Sequence, residues 1–189
     1  MKQLHELNLS DDFLFAKVME DPEVCRRILE KILGVEIRRV ENLTLQKDIS
    51  LDPSAKGVRL DVYLADERRT VYAVEMQTKK RQEQHIPKRS RYYQGVMDLD
   101  QLTKGTDYTG LGKNVVIFLC TFDSYQLGRW RYTFENRCLE EPGLPFGDET
   151  LKVVLNTKGS GEDLDREAAE FLKYVEHSTE DAAEEAEGS

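Results

Sequence analysis

Apolar and polar residues follow two different periods along this chain, and the switches between them mark out its helices and strands. Phe13, Phe15, Val18 and Met19 predict a helix that Ser10 or Asp11 caps. A second helix is expected from Pro22, a good first-turn residue, to Leu33. Val24, Ile28, Leu29, Ile32 and Leu33 form its stripe, and Gly34 stops it. The period then falls to two. Leu43, Leu45, Ile49 and Leu51 share one face of a half-buried strand, with Thr44, Gln46, Asp48 and Ser50 on the other and Lys47 out of pattern. Residues 58–64 and 71–77 read as two strands of a hairpin turned through Asp66, Glu67, Arg68 and Arg69. A polar helix follows, from Gln82 or from Pro87, to Leu102. The unbroken apolar run 115–121 predicts a strand buried on both sides. Shorter strands are expected at 129–134 and 151–155. Leu164, Ala168, Phe171, Leu172 and Val175 predict a surface helix over 163–177.

The hairpin carries the chemistry. If opposed residues sum to 136, one face pairs Leu60 with Met76, Val62 with Val74 and Leu64 with Tyr72. The other face pairs Arg59 with Gln77, Asp61 with Glu75 and Tyr63 with Ala73. An odd sum mixes the faces, so the pattern favours an even register, this one or its even neighbours. In the favoured register two carboxylates stand opposite each other, with Cβ atoms on the order of 5 Å apart. Such a pair needs a shared proton, a basic neighbour or a cation. Two hard oxygen ligands with a backbone carbonyl and waters are what Mg²⁺ commonly accepts. Gln77 projects from the same face, placed to orient a water or a phosphate oxygen; a solvated outer face that tolerates acids is the competing explanation.

Charge changes the picture less than its total of −9 suggests. Of 36 acids and 27 bases, eleven and two lie in residues 162–189, leaving 25 of each before them. The acidity belongs to the C-terminal end, where residues 178–189 are expected to be a disordered acidic tail after one domain at 1–177. Residues 79–91 hold six bases (Lys79, Lys80, Arg81, Lys88, Arg89 and Arg91) against Glu83 alone. A phosphate-backbone partner is therefore compatible with the composition. Arg89, Tyr92 and Tyr93 can share a helix face, with Lys88 and Arg91 alongside. The tyrosines are expected to be partly core and Arg89 the functional residue.

Several classes drop out. Cys25, Cys120 and Cys138 are odd in number and widely spaced, which predicts reduced thiols and a cytoplasmic protein. The chain carries no membrane-length apolar run and no signal-peptide pattern at its start. His5, His85 and His177 lack partners at zinc spacing. No glycine-rich phosphate loop or nucleophile triad is present, so no small organic cofactor is expected.

Asp61 followed by Glu75-Met76-Gln77 on the next strand resembles the PD-(D/E)XK nuclease signature. Six blocks in order strengthen the likeness: Asp11-Asp12-Phe13-Leu14-Phe15, Gly57-Val58-Arg59-Leu60-Asp61-Val62, Val74-Glu75-Met76-Gln77, Lys88-Arg89-Ser90-Arg91-Tyr92-Tyr93-Gln94, Cys120-Thr121-Phe122-Asp123 and Asn156-Thr157-Lys158-Gly159. Together they resemble the Rpn family of recombination-promoting nucleases and transposases, over about residues 9–177. The resemblance implies an α/β restriction-endonuclease-like core of order αβββαβ, a mixed central sheet flanked by helices. It implies a DNA endonuclease using Mg²⁺ or Mn²⁺, tied to recombination or transposition, or else a weakened or inactive DNA-binding or protein-interaction module on the same scaffold. Asp61 and Glu75 would hold the metal with the carbonyl of Met76. Asp12, or its neighbour Asp11, matches a further acidic position that acts through water. Gln77 would be the third catalytic residue, and Arg89, Lys88, Arg91 and Tyr92 would contact DNA. The chain departs from the signature twice: Leu60 stands in place of the proline, and Gln77 in place of the lysine, which removes a cation. Paired cuts in two strands usually need two active sites, so a homodimer is among the partners this reading admits.

Overall fold

The apolar run of the sequence becomes the middle of a six-stranded sheet. In the computed structural model, residues 12–50, 54, 56–78, 85–102 and 104–187 are described, with side chains apart from those at 12–14, 16 and 177–187. Strand β4 (Asn114–Cys120) is buried at every position. It runs parallel to β3 (Val71–Gln77) on one side and to β6 (Thr150–Asn156) on the other. A strand with neighbours on both edges and helices on both faces has no polar side, which is why its sequence does not alternate. β2 (Val58–Asp66) pairs antiparallel with β3 and with β1 (Val40–Ile49), and β5 (Arg131–Phe134) pairs antiparallel with β6. The order across the sheet is β1-β2-β3-β4-β6-β5.

Helices α1 (Asp12–Met19), α2 (Pro22–Leu33) and α4 (Arg166–Glu187) cover one face, and α3 (Ile86–Gln101) covers the other. Under the first group lie Val62, Val74, Ile117 and Leu155; under α3 lie Ala73, Val116, Phe118 and Val154. The succession α2, β1, β2, β3, α3, β4 is the αβββαβ core that the resemblance implied, extended by β5, β6 and α4. Among the described residues, no helix is long and apolar enough to cross a membrane.

Local chemistry sets the ends of α2. The Asp21 carboxylate accepts the amides of Glu23 and Val24, Pro22 opens the first turn, and Gly34 closes the helix at φ 67°. The buried stripe is Cys25, Leu29 and Ile32, spaced four and three apart. Val24, expected in the stripe, is exposed because it sits one residue, about 100° of helix rotation, off that line. The proposed caps Ser10 and Asp11 lie outside the described residues.

Two expectations are corrected. Leu43 and Leu45 of β1 pack under α1, α2 and α4, whereas Ile49 packs under α3, so they do not share one face. Gln46, between them, has φ 49°, and this left-handed residue turns the strand over. Lys47 is thereby carried to the α3 side, where it pairs with Asp100 and sits over the Tyr63 ring at 3.8 Å. Finally, α4 begins at Arg166, not 163, and runs to Glu187. The helix takes in the alanines and glutamates of the acidic stretch, which holds no Gly or Pro before Gly188.

Candidate active site at the splayed end of the hairpin

The β2–β3 ladder pairs Ala65 with Val71, Leu64 with Tyr72, Tyr63 with Ala73 and Val62 with Val74. Every pair sums to 136, the register that the hydrophobic pattern favours. Beyond Val62 the described backbone pairing stops, and two carboxylates take over. The Asp61 amide donates to Glu75 Oε1 at 3.0 Å, and the Met76 amide donates to Asp61 Oδ2 at 3.1 Å. Each acid thus satisfies an amide of the other's strand.

The strands part here because β2 changes the face it buries. Val62 and Leu64 belong to the core under α1, α2 and α4; Val58 and Leu60 belong to the core under α3. The change falls at Asp61, in register with Gln46. The expected pairing of Leu60 with Met76 on one apolar face is corrected, since Met76 stays in the first core. Splaying by one residue leaves room at the fork for side chains in place of main-chain bonds.

Glu75 and Gln77 are both 3% exposed, although they are the polar residues of β3. Their partner is Arg89, on α3. Its Nη1 donates to Gln77 Oε1 at 2.7 Å, and its Nη2 lies 3.3 Å from Glu75 Oε2. The same nitrogen donates to the Tyr93 hydroxyl at 2.9 Å, and the guanidinium lies 5.4 Å from the Tyr93 ring centroid and 5.1 Å from that of Phe118. Gln77 Nε2 donates to the Met76 carbonyl at 2.6 Å. Arg89 and Tyr93 meet because they are one helical turn apart.

Electrostatically the fork favours a proton on Glu75. Burial, and next the Asp61 carboxylate beside it, push Glu75 up to about 8; the Asp61 amide and Arg89 oppose this only in part. Burial and the Glu75 charge likewise raise the Tyr93 hydroxyl. Two carboxylates on adjoining strands, with the backbone carbonyl of Met76 next to Glu75 in sequence, are hard oxygen donors, a set that fits a divalent cation. Among the described residues, no group of three or more His, Cys, Asp or Glu side chains is arranged to hold a metal ion. The side chain of Asp12 lies outside the described residues, as do Lys79, Lys80 and Arg81.

Of the DNA-contacting candidates, Lys88, Arg89 and Tyr92 line one groove with Lys56, Arg59 and His85. Arg91 does not join them. It faces a second groove with Tyr125, Phe134 and Asp148, because two residues of helix turn it through about 200° from Arg89. Tyr92 is 42% exposed, while Tyr93 is half-buried at the fork. Lys56, Arg59 and His85 were missed; only the Arg59 position, two residues before Asp61, carried any signal in sequence. Two of the quoted blocks prove to be braces. Asp123 accepts the amides of Tyr125, Gln126 and Gly128 and the Tyr132 hydroxyl, and Asn156 ties Lys158 to the carbonyl of Arg129.

The family model for PD-(D/E)XK nuclease family transposases matches residues 11–140, a span that contains β1 to β5 and the whole cluster of Asp61, Glu75, Gln77 and Arg89. No curated protein and no solved structure matches the chain. A mixed sheet with the αβββαβ order, two acids at the fork of its hairpin and a family match over more than half its length agree: the chain belongs to the PD-(D/E)XK nuclease family transposases.

Proposed function

We propose that this protein is a divalent-metal-dependent DNA endonuclease that hydrolyses phosphodiester bonds in the recombination or transposition of mobile elements. Nucleases of this superfamily generally use divalent ions; here Mg²⁺, with Mn²⁺ as its substitute, is the proposed ion. The observation that carries the reading is the meeting of Asp61 and Glu75 across the fork, two acids from neighbouring strands that each accept an amide of the other's strand. Asp61, Glu75 and the Met76 carbonyl would hold the ion, with Asp12 contributing through water. When bound, such an ion activates water and offsets charge on the phosphate.

The remaining work falls to the chain's own groups. Arg89 carries the positive charge that Gln77 does not, at a position within reach of the same carboxylate. Its planar donors suit a phosphate as well as a carboxylate. Gln77 holds Arg89 in place through Oε1 and the Met76 carbonyl through Nε2, so it is a positioning residue in this scheme. Lys88 and Tyr92, exposed on the same side of α3, extend the contact surface for DNA. A homodimer acting on two strands belongs with this proposal.

Incubation with supercoiled plasmid and Mg²⁺ or Mn²⁺ tests it. Wild-type protein nicks or linearises the plasmid, and Glu75→Ala purified in parallel does not. Equal cutting by both proteins would overturn the assignment.

A second reading, a DNA-binding module with weak or absent catalysis, draws on one observation. Both ends of the Gln77 amide and two edges of Arg89 are already engaged within the protein. DNA binding with a steep salt dependence, and no cleavage with any divalent ion, would favour it.

A further inference from the structure

Arg89 closes the fork with one edge and borders a groove of about 420 Å³ with the other. The groove lies between the segment entering β2 and the first turns of α3. Lys56 and Arg59 come from the first; His85, Lys88 and Arg89 come from the second. Among its described lining residues none is acidic. In a chain of net charge −9, folding has brought together basic groups some thirty residues apart in sequence. Their mutual repulsion disfavours this arrangement unless an anion lies against it.

The groove is also preformed. The Tyr92 hydroxyl donates to the Lys56 carbonyl at 2.5 Å, which joins the two walls and holds the ring against the opening. Arg59 is steadied by Gln46. The volume is that of a small-molecule site, large enough for a nucleotide or two and too small for a duplex. An exposed aromatic ring beside a row of cations is how proteins hold single strands: bases stack on the ring and phosphates follow the charge. We infer that this groove binds unpaired nucleotides of a DNA strand and leads the adjoining phosphate to Arg89, so that the protein prefers single-stranded or frayed DNA to intact duplex. The role as a substrate channel rests on the nuclease reading above; the binding itself needs neither metal nor cleavage.

The test is fluorescence anisotropy in EDTA, with an oligothymidylate about twenty nucleotides long and a blunt duplex of equal length. The single strand binds the full-length protein about tenfold or more tightly than the duplex. Lys56→Glu with Arg59→Glu removes about tenfold of that affinity and lowers the slope of log affinity against log salt by roughly 1.4, about 0.7 for each phosphate that is no longer neutralised. Lys56→Ala with Arg59→Ala, a gentler change on the same surface, weakens binding less and in the same direction. Arg27→Glu with Arg166→Glu makes the same change in net charge on the opposite face of the sheet and leaves binding near wild type. Melting temperatures verify that each variant is folded. Equal or tighter binding of duplex, no response to the groove reversal, or an equal weakening in the opposite-face variant would each overturn the inference. Single-strand preference without cleavage under any metal would remove the nuclease reading and leave the groove standing.

Discussion

Arg89 Nη1 lies 2.7 Å from Gln77 Oε1, across a gap of twelve residues, and this hydrogen bond brings a helix-borne cation to the strand position where the family signature carries a lysine. The positive charge beside Glu75 thus comes from α3, not from β3. The two side chains are joined by this bond and should respond to mutation as one.

Above pH 8, where Glu75 is ionised, Arg89→Ala should lower stability by about 3 kcal/mol, because it leaves the buried carboxylate without its cation, and the loss should be smaller at pH 6. Cleavage should fall by about 100-fold. Gln77→Lys alone places a second cation against Arg89 and should also be harmful. Gln77→Lys combined with Arg89→Ala should recover part of the deficit in both readouts. Urea denaturation and plasmid cleavage of the four proteins form the cycle; strictly additive effects would separate the two residues.

Stability should depend on pH through Glu75. Its folded value, raised to about 8, stands above its ordinary 4.5, so between these values the folded protein holds a proton that the unfolded chain has released. The stabilisation this gives is complete below pH 4.5 and is lost as pH rises through about 8. In EDTA, the free energy of unfolding of wild type minus that of Glu75→Gln should therefore fall steadily from pH 5 to pH 8. A flat difference would place the proton elsewhere.

Divalent ions should raise the melting temperature. At a concentration one hundred times the dissociation constant the expected gain is about 2.7 kcal/mol, close to 8 °C for a chain of this size. Asp61→Asn and Glu75→Gln should each abolish the shift while retaining the fold, since an amide oxygen still accepts the partner strand's N–H. A shift that persists in both variants would locate the ion away from the fork.

At the other end of the sheet, a methyl group on Gly112 would lie 2.0 Å from the Arg69 carbonyl oxygen, in the turn that joins β2 to β3. Gly112→Ala should cost about 3 kcal/mol, roughly 10 °C in Tm, by forcing that turn from β4. The metal-induced shift should survive, because Val71 and Asn114 at that end are separated from Gln77 by the length of the strand. Calorimetry with and without Mn²⁺ checks both halves.

Much of this was legible in the sequence, for physical reasons. The hairpin register followed from matching faces, the boundaries of α2 from Asp21, Pro22 and Gly34, and the burial of β4 from its unbroken apolar run. Asp61 and Glu75 converge as the register required. The turnover of β1 at Gln46 was not legible, because a glutamine at positive φ carries none of the compositional mark of glycine or asparagine. Without it, Ile49 and Leu60 were assigned to the wrong face. The bond from Arg89 to Gln77 depends on how α3 lies across β3, which no local pattern encodes. Arg91 is a different case. Its separation from Arg89 was implicit in helical phase, and grouping the bases by nearness in sequence concealed it.

The mutual capping of Asp61 and Glu75 has a consequence for the lineage of such proteins. The atoms that would serve chemistry also replace missing rungs of the sheet, so a copy that has lost its activity still needs, at both positions, an oxygen that accepts the partner strand's N–H. An acid or its amide meets that need. Loss of activity in such a lineage should therefore appear first as acid-to-amide exchange at these two positions, and counting side chains that merely cap the strands would overstate how many copies still cut.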